Sequence, residues 1–344
     1  MKSIAFFNNK GGVSKTTTVF HLGWKLASKG KRVLLVDADP QCNLTGMILG
    51  YRGPSELESL YKKQPDNNVK AGLAPAYESR PNPIQPLKCI DVLGRDGLFL
   101  MPGHIGLSEY EVSLGMAQEL SSAIPTLMNL PGAFSFLISR SAAKLDIDYV
   151  LIDLSPSLGA INQNLLMTSN YFIVPTNPDF FSVMSIDSMS TVLTRWAEWS
   201  KKAQAARKWT NASYPYPDGM PIFLGTIIQR FRLRLNAPAT KFQTWIDEIN
   251  SSVVAKLLPV LQTGNMLLPN DRYKSAGISD TYCLAEISDF NSLIALSQEK
   301  STPVFALSQE QMNYSGVIKE NMVEKRDQFD ALFDHLAQEI LQLT

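Results

Sequence analysis

The sequence predicts a doubly wound, mainly parallel α/β sheet flanked by helices. Short, unbroken apolar runs recur along the chain, at Ile4–Phe7, Val33–Val36, Val150–Ile152 and Phe172–Val174. Runs without polar alternation are what parallel strands covered on both faces require. Helical patterns fall between them, and strand–helix alternation is the signature of a parallel sheet. Several runs end in a glycine turn or a carboxylate, so polar groups collect at the carboxyl ends of the strands, where open α/β sheets bind ligands.

The elements come in order. A first strand at Ile4–Phe7 leads through a glycine-rich turn into a helix over about 16–28, with an apolar stripe at Leu22, Leu26 and Ala27 and a stop at Gly30. The run 32–37 is the next strand. Residues 51–97, with scattered prolines from Pro54 to Pro86, read as a loop-rich insertion holding one short helix over about 55–62. Leu98–Met101 is a strand, with helices expected near 108–120 and 133–143. The strand 149–152, a helix near 160–169, the strand 171–176 and a long helix near 182–199 come next. A polar, basic connection spans 200–220. Ile222–Ile228, a helix near 240–256, the strand 283–287 and a final helix over about 309–341 complete a single expected domain over 1–344.

The chemistry begins at Asn9-Lys10-Gly11-Gly12-Val13-Ser14-Lys15-Thr16-Thr17-Thr18. A glycine turn directs backbone N–H groups at phosphate oxygens, and the helix behind it adds its positive dipole end. Lys15 is placed to neutralise β/γ-phosphates and the Thr16 hydroxyl to ligate Mg²⁺. The run 32–37 then delivers Asp37 and Asp39, within Val36-Asp37-Ala38-Asp39-Pro40-Gln41. The run 149–152 delivers Asp153, ahead of Leu154-Ser155-Pro156-Ser157. A carboxylate at that strand end can hold Mg²⁺ through a water. Asp37 reads equally well as a capping or supporting carboxylate.

The first motif departs from G-x-x-x-x-G-K-[ST], since Asn9 and Ser14 stand at its glycine positions, and has K-G-G-x-x-K-T instead. This pattern resembles the deviant Walker A box of the ParA/MinD family of P-loop ATPases. "VDADPQ" is similar to the family's switch I and Leu154–Ser157 to its switch II. Leu98–His104 and "VPTNPDFFSV" resemble two further family segments. The resemblance implies an ATPase that uses ATP and Mg²⁺. It makes Lys10 the signature lysine, which reaches across a homodimer to the partner's phosphates, and Lys15 the P-loop lysine. Residues 10–17 (Lys10, Gly11, Gly12, Val13, Ser14, Lys15, Thr16, Thr17) would hold the nucleotide. Thr16, Asp39 and Asp153 would form the metal site, and Asp39 would position the attacking water. The family lines its adenine pocket near the strand 283–287, so Asp289, Phe290 and Asn291 read as candidates to edge the base, with core or capping roles as the equal alternative. At Ser14 the commonest family form has glycine; variation is tolerated there, so binding is expected to survive.

Acidic and basic side chains number 32 each, so net charge alone indicates no partner. Their distribution is uneven. From Arg195 to Lys241 nine Lys or Arg face two acids, whereas from Asn270 onward twelve acids face six bases. A basic region inside a neutral total is the footprint of phosphate-backbone binding. Lys201, Lys202, Arg207, Lys208, Arg230, Arg232 and Arg234 are the DNA-binding candidates, the last three on one side if that segment is extended. The alternative is solvated charge paired with the acidic last helix. Cys42, Cys89 and Cys283 have neither zinc nor disulfide spacing, and the three histidines lack metal spacing. With no apolar run of about 18 residues and a first strand that leaves no room for a signal peptide, a cytoplasmic protein is expected; the resemblance implies nucleoid association when ATP-bound.

By resemblance, the chain is expected to act as a ParA-like partition or positioning ATPase. It would dimerise with ATP, bind DNA without sequence preference, and hydrolyse ATP slowly on stimulation by a ParB-like or cargo-adaptor protein on a plasmid, chromosome or protein assembly. A MinD-like membrane-associated switch and an ATP-dependent small-molecule ligase are the alternatives. The acidic flanks of 327–336 oppose the first on anionic lipid, and the Asp-Pro-Gln segment opposes the second.

Overall fold

The computed structural model describes residues 1–50, 53–120, 127–205, 212–234, 237–312 and 315–344. The expected α/β architecture is present. Strands β1 (Lys2–Phe6), β2 (Val33–Asp37), β3 (Ile90–Asp91), β4 (Leu98–Met101), β5 (Tyr149–Asp153), β6 (Tyr171–Thr176), β7 (Ile222–Phe231) and β10 (Cys283–Ser288) form one sheet among the described residues. Its order is β10-β7-β6-β1-β5-β2-β4-β3, parallel except for the β3–β4 edge. β8 (Leu233–Arg234) and β9 (Ala237–Pro238) form a separate small hairpin.

Alternation along β1 sends Ala5 and Phe7 to one core and Ile4 and Phe6 to the other. Helix α1 (Lys15–Ser28) crosses on the Ile4/Phe6 side. It lies so close that a Cβ on Gly23 would stand 2.5 Å from the Leu35 side chain. The last helix, Gly316–Leu343, packs beside α1 and buries Phe329, Phe333, Leu336 and Ile340. Its acidic side chains pair with α1, Lys25 with Asp330 at 2.5 Å and Lys29 with Asp334 at 2.7 Å. The alternative of pairing with the basic region is not what these contacts show. No described helix is long and apolar enough to cross a membrane.

The segment 51–97 is more regular than the loop-rich insertion expected from its prolines. After α2 (Asn43–Leu49) come α3 (Pro54–Lys63) and a second helix, α4 (Val69–Tyr77), capped by Asn68, whose Oδ1 accepts from the Ala71 N–H at 2.9 Å. Val69, Leu73, Ile84 and Leu87 join the core beside α5 (Tyr110–Leu120) and α6 (Leu130–Lys144). Pro75 lies inside α4. Apolar burial and a side-chain cap outweigh the helix-breaking composition. Helices α7 (Ala160–Met167) and α8 (Phe180–Ala205) come after β5 and β6 and add Leu165 and Leu193 to the same core.

His21 ties α1 to the chain beyond β10. It is fully buried, with Nδ1–H donating to Thr17 O (2.8 Å) and Nε2 accepting from Val304 N–H (3.0 Å), and its ring stacks on Phe290. Both nitrogens are used by the neutral ring, and burial pushes the imidazole pKa down to about 4. The unfolded chain therefore binds the extra proton between about pH 6.5 and 4, and stability from this group is lost as pH falls through that window. His21→Leu should lower stability at pH 7.5 by about 1–3 kcal/mol, the cost of an unpaired Val304 N–H. It should also remove part of the acid sensitivity, measured as the change in urea midpoint between pH 7 and 4.5 relative to wild type.

Candidate functional site

The site lies at the carboxyl ends of β1, β2 and β5, in a cleft of about 1180 Å³ lined by Gly12–Thr17, Asp39–Asn43, Pro156, Arg230, Asp289 and Phe290. The phosphate-loop turn enters α1 through Ser14, which adopts a left-handed φ of 58° with Gly12 at 72°. This conformation costs an L-residue about 1–2 kcal/mol and costs glycine almost nothing. It gives a physical reason for the glycine that the resemblance implies at position 14.

Lys15 folds back over the turn, its Nζ donating to Asn8 O (3.0 Å) and Lys10 O (3.3 Å). Burial lowers its pKa, opposed by the nearby charges of Asp153 and Asp39. Thr16 Oγ1 donates to Asp153 Oδ2 at 2.7 Å, while Asp153 Oδ1 is buried without a hydrogen-bond partner among the described residues. An orphaned carboxylate oxygen beside a hydroxyl at the end of the phosphate loop fits a divalent cation. The residues present thus suit the expected Thr16–Asp153 pair. Burial and the neighbouring Asp37 raise the Asp153 pKa well above the usual carboxylate range.

Asp37 has a supporting position. Its Oδ2 accepts from Thr45 N–H (2.8 Å) and Thr45 Oγ1–H (2.6 Å), anchoring α2 to the end of β2. Thr45 Oγ1 in turn accepts from Gly103 N–H (2.9 Å). A Cβ on Gly103 would stand 2.9 Å from the Asp37 carboxyl carbon, so the glycine after β4 is required by close approach. Asp39, two residues on, lines the cleft, and its Oδ1 accepts from Gln41 N–H at 2.9 Å.

Lys10 is engaged within its own chain. Its ammonium contacts the Asp179 carboxylate and donates to Ser182 Oγ (3.1 Å) at the start of α8. The trans role implied by resemblance would require this pairing to exchange.

The basic candidates do not form one stripe. Lys201 and Lys202 are exposed near the far end of α8, about 30 Å from its start at 1.5 Å per residue. Arg232 is exposed at the opposite end, just after β7. Arg230 departs from the extended run, with a left-handed φ of 64° and its guanidinium donating to Gly12 O at 3.0 Å. Arg207 and Lys208 lie outside the described residues, as does the side chain of Arg234. Asp289 and Phe290 line the cleft wall, but Phe290 is also a buried core residue stacked on His21, and Asn291 donates through its amide to Asp289 O (2.9 Å). Sequence patterning did not single out Asn177, whose Nδ2 also donates to Gly12 O (2.9 Å), or Gln229, which reaches Thr18 Oγ1 (2.7 Å) from β7. Their signal was limited to polar residues directly at the ends of buried strands.

A family described as "AAA domain" (AAA_31) matches residues 1–204. The chromosome partitioning protein ParA of Caulobacter vibrioides is 31% identical over 196 residues, covering 57% of this chain and 63% of its own length. The sporulation initiation inhibitor protein Soj of Bacillus subtilis is 32% identical over 188 residues, covering 55% of this chain and 63% of its own. In each case the chain spans less than two thirds of the relative. A crystal structure of protein DIP2308 from Corynebacterium diphtheriae shares the fold, with a TM-score of 0.62, 22% identity, and coverage of 88% of this chain and 97% of that one.

Burial raises the Asp37 pKa to about 7, against the Thr45 bonds that lower it. The folded chain therefore holds a proton that the unfolded chain has released between about pH 4 and 7, and stability from this group falls as pH rises through that range. Asp37→Asn should flatten the slope relative to wild type by at most about 1.4 kcal/mol per pH unit. Urea titrations at pH 5 and 7.5 measure it, and the opposing His21 slope cancels in the difference.

Proposed function

This chain belongs to the ParA/MinD family of P-loop ATPases, and from that premise we propose that it is a ParA-like positioning ATPase that binds Mg²⁺-ATP and hydrolyses it to ADP and phosphate. The observation that carries this reading is the buried Lys15 near the charge of Asp153, which accepts from Thr16 and has one oxygen left unpartnered among the described residues. Residues 10–17 cradle the phosphates and Lys15 pairs with their β/γ oxygens. Mg²⁺ held by Thr16 and Asp153, with support from Asp39, would neutralise charge between the β- and γ-phosphates. Asp39 orients the attacking water from the cleft wall. Lys10 leaves Asp179 to reach the partner subunit's nucleotide, so the homodimer forms only with ATP. The similarity to the chromosome partitioning protein ParA of Caulobacter vibrioides supports partition as the process. A ParB-like or adaptor protein on the cargo would stimulate turnover. The Asp39→Ala chain should retain ATP binding, lose at least about 100-fold in turnover and accumulate as a dimer. Lys10→Ala should stay monomeric with ATP in light scattering. Wild-type turnover in the first or ATP-dependent dimers in the second would reject these roles.

DNA binding by the ATP dimer is proposed from the exposed cations Arg232, Lys201 and Lys202, with Arg207, Lys208 and Arg234 as further candidates. Arg230, engaged with the phosphate loop, is the poorest DNA ligand of the seven basic residues. Because the charges sit at two ends of the domain, charge reversal at Arg232 and at Lys201/Lys202 should separate the contributing end. Affinity for duplex DNA should be sequence-independent and fall steeply with salt as counterions are released. No affinity at low salt with ATP would remove DNA from the proposal.

A further inference from the structure

The outward side of the phosphate loop is held by side chains that the resemblance does not assign. Gly12 O accepts two hydrogen bonds, from Asn177 Nδ2 (2.9 Å) just beyond β6 and from Arg230 Nη1 (3.0 Å) at the end of β7. The next carbonyl, Val13 O, faces Gln229 Nε2 at 3.5 Å, and the same amide donates to Thr18 Oγ1 at 2.7 Å. Thr18 Oγ1 itself donates to Ser14 O (2.9 Å). Successive carbonyls of one loop are thus tied to the ends of two strands and to α1.

A trans peptide is planar, so the carbonyl of one residue and the N–H of the next point in opposite directions. The described peptide bonds are all trans. Fixing Gly12 O outward fixes the Val13 N–H the other way, and fixing Val13 O does the same for the Ser14 N–H. Val13, Ser14 and Lys15 line the cleft. A set of N–H groups aimed beforehand at an anion binds it without reorganising. Arg230 accepts a left-handed φ of 64° to make its contact, and strain of that kind is sustained where the surroundings over-determine it.

We propose that Asn177 and Arg230 are positioning residues that clamp the Gly12 carbonyl and so preorganise the N–H groups that receive the nucleotide's phosphates. The assignment rests on the nucleotide-site reading above and moves Arg230 from the DNA surface to that site. The clamp acts on the loop, not on a particular phosphate, so it bears equally on the di- and triphosphate.

The test is calorimetric titration of the full chain with Mg²⁺-ADP and with a non-hydrolysable Mg²⁺-ATP analogue. Asn177→Leu and Arg230→Met each remove one neutral-acceptor hydrogen bond and should weaken both nucleotides by the same factor, about three- to ten-fold. Arg230→Lys, which keeps a donor, should recover most of the loss. Asn177 carries no charge, so its effect cannot be long-range attraction. Arg230 is exposed and Asn177 half-buried, and matched urea midpoints would confirm intact folds; if Arg230→Met unfolds, Asn177→Leu decides. Wild-type affinity in both variants overturns the clamp. So does a loss confined to the triphosphate, or to Arg230 alone, which would make Arg230 a direct phosphate contact. A wild-type chain that binds neither nucleotide rejects the nucleotide-site reading and the clamp together.

Discussion

The constraint on which the site depends is the burial of carboxylates at adjacent strand ends. Parallel register sets Asp37 opposite Asp153, and both are almost fully buried. Two ionised carboxylates cannot share a dry site without nearby positive charge or hydrogen bonds. Thr45 satisfies one and Thr16 half of the other, and Lys15 supplies the only strong cation next to them among the described residues. Removing water from Lys15 weakens its own charge. The cluster is thus arranged for an additional cation, and the unpartnered Asp153 oxygen is where one has an open position.

That arrangement comes from topology. Strand order places β1 between β5 and β6, so the turn after β1 emerges with Asp153 on one side and the end of β6 on the other. The inner side meets the carboxylates. The outer side meets Asn177, Asp179, Ser182 and Ser185 from the β6–α8 corner, with Ser185 Oγ bonded to both Asn8 (2.6 Å) and Asn9 (2.5 Å) side chains. A loop whose sequence is glycine-rich, and therefore flexible when isolated, is fixed from both sides by neighbouring strand ends.

How much of this was legible depends on the range of each interaction. The strands and helices could be read because burial on both faces writes continuous apolar runs, and because Lys15, Thr16 and Asp153 act through local spacing. α4 was not, because its core contacts reach across the chain to α6 while its own residues include Pro75, and its one local signal is the Asn68 cap. The basic residues misled for a related reason. Residues 195–241 are neighbours in sequence, but α8 runs antiparallel to β7, and chain proximity becomes separation by the length of the domain. The left-handed turn at Arg230 broke the assumed alternation and sent one arginine to the phosphate loop. Asn177 could not be singled out, since an asparagine after a strand is ordinary turn composition.

Lys10 shows how the monomer's contacts bear on assembly. Its side chain is about one-fifth exposed, and its ammonium is held by one carboxylate and one hydroxyl of its own chain. In the proposed dimer it would exchange these for a partner's triphosphate, which carries more negative charge than a single carboxylate. With a diphosphate the gain is smaller, while the loss of the Asp179 contact is the same. The balance between these terms, not the bare affinity of the faces, would set the nucleotide dependence of association. Asp179 also caps α8, its Oδ1 accepting from Ser182 N–H at 2.9 Å, so the carboxylate keeps a structural partner when the lysine departs. A charge left with a hydrogen-bond donor costs much less than one left bare, and this lowers the barrier to releasing Lys10.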